Sequence, residues 1–153
     1  MQHLHPLNSK EVKHRILKRL ENQFGFKKKL NYYFFESNKD KVYIIGKDMQ
    51  LVDLDKLRID SIGMYFGTFA HEKLRLSIEG SQIIGPYATK NVLELNDEEF
   101  EKWLKGLDFE LETELEGFVL VKHGEDFVGC GKVKNKELLN YVPKSRRLKV
   151  VNN

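Results

Sequence analysis

The chain has 153 residues, 41% of them hydrophobic and 32% charged, with a formal net charge of +3. That is enough for one ordinary domain or two small ones around a real core, and no apolar run approaches the length of a membrane span. The single cysteine, Cys130, rules out an intramolecular disulfide and a multi-cysteine zinc site, and fits a reducing cytoplasm.

The start, Met1 to Pro6, has neither the basic nor the apolar stretch of a secretory leader. His3 and His5 are expected in a frayed terminus. Asn8 to Phe24 predicts the clearest helix: Asn8 and Glu11 have capping-box spacing, Val12, Ile16, Leu20 and Phe24 recur every fourth residue, and Gly25 suits a left-handed end. Its other face carries Lys10, Lys13, His14, Lys18 and Arg19, either a solvated face or a nucleic-acid surface. After Lys27-Lys28-Lys29, the run from Leu30 to Phe35 and the run from Val42 to Ile45 predict a hairpin closed by Ser37 to Lys41. Residues 50–69 read as mixed short elements. Gly63, Gly67 and the polar stretch Thr68 to Lys73 read as a connection, placing a domain boundary after Glu72.

The second half opens with Leu74-Arg75-Leu76 as a strand, a short helix from Ser77 to Ile84 closed by Gly85-Pro86, and a strand from Val92 to Leu95. Asn96 and Glu99 form a second capping box, and Phe100, Trp103, Leu104 and Leu107 give that helix an apolar side, which makes Trp103 a core residue. An acidic alternating stretch, Glu110 to Glu116, precedes three β-prone runs: Phe118 to Lys122, Phe127 to Val133 and Leu138 to Val142. Leu148 to Val151 alternates again. The expected class is α+β, with residues 1–72 an N-terminal α/β domain and 73–153 a compact, mostly antiparallel β domain.

Charge is segregated along this order. Residues 1–47 hold eleven Lys/Arg against four acids, 94–126 hold three against twelve, and 132–149 hold seven against Glu137 alone. A polyanion is the obvious partner of such basic faces, and solubility is the plain alternative. Pro143 stops the last strand, so that Lys144-Ser145-Arg146-Arg147 project together, two of them planar forks matched to phosphate oxygens. Gly129 and Gly131 flank Cys130 and let another strand or a ligand approach the backbone closely.

Catalytic signals are missing. The sequence has no Gly-rich nucleotide loop, the histidines lack metal-ligand spacing, and acid pairs such as Glu98/Glu99 serve a helix start. His123-Gly124-Glu125-Asp126 reads as turn chemistry, with Gly124 at positive φ. A non-enzymatic protein without metal or nucleotide cofactor is expected.

The order of Phe69 to Ala88, Trp103-Leu104-Lys105-Gly106, Gly117 to Val121 and Phe127 to Gly131, with Leu57 to Gly63 as the best N-terminal piece, resembles the "nip seven" ribosome-biogenesis proteins. The ending Asn140 to Arg147 looks like their archaeal members. The resemblance implies an N-terminal α/β domain followed by a PUA domain, a small mixed β pseudo-barrel that binds RNA. It also implies a non-catalytic role in large-subunit rRNA maturation, with ribosome-assembly proteins as possible partners; no membrane partner is expected from the composition. A PUA-like appendage of NOL/NOP/Sun-type RNA cytosine methyltransferases is the related possibility. The implied RNA edge is Lys144, Arg146, Arg147 and Lys149, with Lys132, Lys134, Lys73 and Arg75 as its rim, while Gly129 and Gly131 permit close approach. The alternatives are a protein-interaction adaptor gripping a basic partner through the acidic 94–126 face, and an accessory subunit lending RNA affinity to a modifying enzyme.

Overall fold

Asn8 begins the first helix as its spacing requires. Its side chain accepts the Glu11 N–H at 2.8 Å, and Glu11 accepts the Asn8 N–H in return. The computed structural model describes residues 4–47 and 63–148, and the expectations for Lys149 and for residues 50–62 lie outside them. The helix, α1, runs in three consecutive pieces: α-helical Ser9–Glu11, π-helical Val12–Leu17 and α-helical Lys18–Phe24. The π stretch is a departure from the expected uninterrupted α-helix, but the four-residue stripe still delivers Ile16, Leu20 and Phe24 fully buried. Gly25 ends α1 at φ 63°, where its N–H reaches Glu21 O at 2.9 Å.

Five strands follow one another as an antiparallel meander in the order β1 (Leu4–Pro6), β2 (Tyr32–Ser37), β3 (Lys41–Gly46), β4 (Met64–Ala70) and β5 (Lys73–Leu76). β1 replaces the frayed terminus expected around His5. Leu4 pairs with Ser37 and Pro6 with Phe35, and Pro6 is tolerated because β1 is outermost in the sheet. The β2–β3 turn is held by the Ser37 hydroxyl, which accepts from the N–H groups of Lys39 and Lys41 at 3.2 and 3.1 Å. Of the β2 aromatics, Phe34 enters the core beside α1, Phe35 is buried elsewhere and Tyr33 is exposed.

The expected connection over Thr68 to Lys73 is a hairpin instead. β4 runs through Ala70, His71 turns the chain at φ 57°, and β5 starts at Lys73. Gly67 read as a breaker; it stands inside β4, where the β3 register shifts between Val42 and Tyr43 and where a Cβ would press on the Arg75 carbonyl. The boundary expected after Glu72 thus falls within the turn of one hairpin. Gln23 of α1, itself buried, meets β5 with both ends of its amide: Nε2 donates to Leu74 O at 2.9 Å, and Oε1 accepts the Leu74 N–H at 2.7 Å.

Ser77 caps the next helix, α2 (Ile78–Ile84), by accepting the Gly80 N–H at 2.9 Å, and a 3₁₀ turn over Gly85–Tyr87 extends it. Gly80 and Gly85 let this helix lie directly on its neighbours: a Cβ at the first would collide with Phe66 O, and at the second with the Phe127 ring.

The second sheet has the order β6-β8-β9-β10-β7, from β6 (Val92–Glu94), β7 (Phe109–Glu110), β8 (Gly117–His123), β9 (Asp126–Lys134) and β10 (Glu137–Leu139). β6 runs parallel to β8, and the other pairs are antiparallel. Of the acidic stretch only Glu110 is strand, and the last run ends at Leu139 rather than Val142. Helix α3 (Asp97–Leu104) opens with the expected capping box, the Glu99 N–H on Asn96 Oδ1 at 2.8 Å.

Alternation divides the second sheet between two cores. Leu120, Phe127 and Cys130 join Ile16, Leu20, Phe24 and Phe66 in a cluster shared with the first sheet, α1 and α2. Val119, Val121, Val133 and Leu138 pack instead around Trp103, which is 1% exposed. Among the described residues no helix is long and apolar enough to cross a membrane.

Candidate nucleic-acid interface

The basic tail was expected to hold out its charges together; the structure separates them. After Pro143 the chain makes a 3₁₀ turn over Lys144–Arg146, with the Arg146 N–H on Pro143 O at 2.9 Å. Arg147 Nε then donates to Val142 O at 2.8 Å while its side chain covers Gly106, and the Leu148 N–H reaches Leu104 O at 2.7 Å. These contacts fasten the tail to the end of α3. Arg146 forms an ion pair with Glu79 of α2. Lys144 alone of the three projects into solvent without an ion pair among the described residues.

The space over Gly129 and Gly131 is also taken. A Cβ on Gly129 would stand 2.9 Å from Trp103 Cζ2, and one on Gly131 would stand 2.7 Å from Leu138 Cδ1. The close approach these glycines permit is made by the domain's own tryptophan and by β10. Trp103 Nε1 donates to Val128 O at 3.1 Å, so the buried indole is satisfied. Between the glycines, Cys130 is wholly buried, and burial pushes its thiol up to about 12. Such a sulfur stays protonated and unreactive.

Two of the remaining predicted cations, Arg75 and Lys132, lie over aromatic rings, and Arg75 lines a cleft between the two sheets. Its volume is about 650 Å³, with Lys41, Tyr65 and Arg75 from the first sheet facing Tyr141, Ser145 and Arg146 from the second half. On its lining the Arg75 guanidinium lies 4.3 Å above Tyr141; from Tyr141 a row continues outside the cleft to Phe118, 6.4 Å away, and to Lys132, whose Nζ lies 5.5 Å from the centre of the Phe118 ring. On the first-sheet wall, Lys41 Nζ stands 5.7 Å from the Tyr65 ring, which in turn lies 5.7 Å from Tyr43. A cation held over a ring keeps its charge open to solvent on the far side, where a phosphate can meet it. Lys73 and Lys134 sit two residues from Arg75 and Lys132 on the same strand faces, and both are exposed.

Sequence reasoning found Lys73, Arg75, Lys132, Lys134 and Arg146 and missed Lys41 and the rings beside these cations. Phe118 counted only as a strand former and Tyr141 as part of a terminal run. Tyr141 is placed by its neighbour Asn140, whose Nδ2 donates to Trp103 O and whose Oδ1 accepts the Val142 N–H at 2.8 Å. No spacing in the sequence announces that fastening.

Residues 90–148, from just before β6 to the end of the tail, match the family described as the methyltransferase RsmF PUA domain. The second sheet is thus a PUA domain. The family match starts beyond β5 and α2, so Arg75 and Lys73 approach the PUA domain from the first sheet. No curated protein matches the chain.

Proposed function

We propose that this chain is a non-catalytic RNA-binding protein that holds RNA at the cleft, in large-subunit rRNA processing during ribosome biogenesis. The observation that carries the reading is the PUA domain at residues 90–148 with Lys132, Phe118 and Tyr141 on it and Arg75 meeting Tyr141 from the first sheet. Cationic grooves with aromatic platforms suit single strands, because every base has a face to stack and every phosphate a charge to neutralise. The contact set is Arg75, Lys132, Lys73, Lys134 and Lys144, with Tyr141 as platform. Arg146 joins it when phosphate displaces Glu79, and Arg147 acts by positioning the tail. A cytoplasmic location and assembly-protein partners belong to the same reading, as does the division into an N-terminal docking domain and a C-terminal RNA-binding domain.

A second reading, an accessory chain bringing RNA to a modifying enzyme, is favoured by the methyltransferase in the family's description. Crosslinking RNA to the chain in its native cells separates the two. Large-subunit precursor segments support the first, and contacts clustered at modified bases support the second.

The direct test is fluorescence anisotropy with a uridine-rich single strand, an RNA duplex and the matching DNA strand across a salt series. Binding of the RNA strand should weaken with salt, and replacing Lys132 and Lys134 by Ala should flatten the log–log slope by roughly 0.7 per lost contact. Failure of every strand to bind at low salt would sink the reading.

A further inference from the structure

At the other end of β3 from the cleft lies a second concentration of charge outside the PUA domain. Lys13 and Lys18 of α1 and Lys27, Lys28 and Lys29 after it border a groove of about 610 Å³ floored by Leu17 and Phe26. A second groove of about 510 Å³ adjoins it, sharing Phe26, Lys28 and Lys29 and ending at Tyr87. Tyr87 is 54% exposed, with its ring 6.4 Å from Phe26, edge to face, and Lys28 Nζ 5.8 Å from its centre.

The opposite side of α1 shows how this fold treats a cation that it needs. Arg15 forms a two-pronged pair with Glu36, at 2.5 and 3.0 Å, and both Arg15 and Arg19 lie over the Phe69 ring. Hydrogen bonding to Glu36 raises the Arg15 pKa, while burial lowers that of Arg19. In the grooves, by contrast, all five lysines are exposed, none has an ion pair among the described residues, and Glu21 is the one acid on the lining. A surface tuned only for solubility intersperses both signs. Five ammonium groups against one carboxylate leave the grooves strongly positive, and a chain of phosphates relieves their mutual repulsion.

We propose that these adjoining grooves are a second RNA-backbone site, so that one molecule grips two separate stretches of the same single strand. The inference rests on the cleft being the first site. Lys41, on the cleft, and Gly46, on the second groove, begin and end β3, roughly 17 Å apart along a strand. A short oligonucleotide therefore occupies one site, and a longer one spans both.

The test uses the full chain with a single strand of about 4 nucleotides, which at roughly 3.4 Å per stacked nucleotide is shorter than the separation of the sites, and one many times longer. The variant Lys27→Ala/Lys28→Ala/Lys29→Ala alters exposed side chains alone, and its circular dichroism should match wild type. Expected is a salt slope for the long strand lower by about two units, as three lost contacts require, with binding of the short strand unchanged. An unchanged slope on the long strand overturns the second site and leaves the cleft standing. Equal losses on both lengths mean a general charge effect and also overturn it. If the triple variant loses the short strand while Tyr141→Ala keeps it, the grooves are the first site and both readings fall.

Discussion

Two sets of cations, those of the tail after Pro143 and the row of Arg75 and Lys132, are held in opposite ways. In the tail, one arginine is spent on the Val142 carbonyl and another on Glu79, so positive charge fastens chain to chain. In the row, Arg75 lies over Tyr141 and Lys132 over Phe118, contacts that hold the side chains without neutralising them. Density of charge along a chain says how many cations there are. Whether they face a partner depends on what each one is bonded to in three dimensions.

The largest way to break the contrast is to remove what supports both regions. Trp103→Ala should cost about 3–5 kcal/mol, read as the midpoint of chemical denaturation, because the ring fills the space over Gly129 and Gly131 and its N–H satisfies Val128. Gly129→Ala comes next: φ is 147° and the new methyl meets the indole, for a loss of about 1–3 kcal/mol in the same measurement. The contrast itself is sharpened by a pair. Tyr141→Ala should weaken single-strand RNA binding by about 1–3 kcal/mol with little change in stability. Arg147→Ala should do the reverse, losing about 1 kcal/mol of stability while the salt slope stays as it was. Loss of RNA affinity in the Arg147 variant alone would invert the assignment. The smallest effect is a gain. Glu79→Gln frees Arg146 and should tighten RNA binding by no more than about 0.5 kcal/mol, since the pair is partly exposed.

Local signals were read well and distant ones poorly, for a physical reason. Both capping boxes, Asn8 with Glu11 and Asn96 with Glu99, stand where their three-residue spacing put them, and Trp103 is core as its stripe required. The hairpins at Ser37 and Gly124 likewise follow from turn chemistry within a few residues. Gly67 misled because a glycine inside a strand looks like a glycine in a loop until the partner strand is known. The glycines beside Cys130 announced a close approach without naming Trp103, some twenty-five residues earlier in the chain, as what approaches. The tail arginines misled in the same way: Glu79 lies 67 residues from Arg146, and nothing near either one joins them.

One amide in α1 has a consequence beyond packing. β5 closes the first sheet, and an outermost strand ordinarily offers a line of free N–H and C=O groups on which another chain can build. Gln23 takes both groups of Leu74, midway along that four-residue strand, so a foreign strand finds its central rung already occupied. The side chain thereby guards a protein rich in β structure against edge-to-edge aggregation. It does so from within the helix that builds the core, so the protection lasts as long as α1 stays folded.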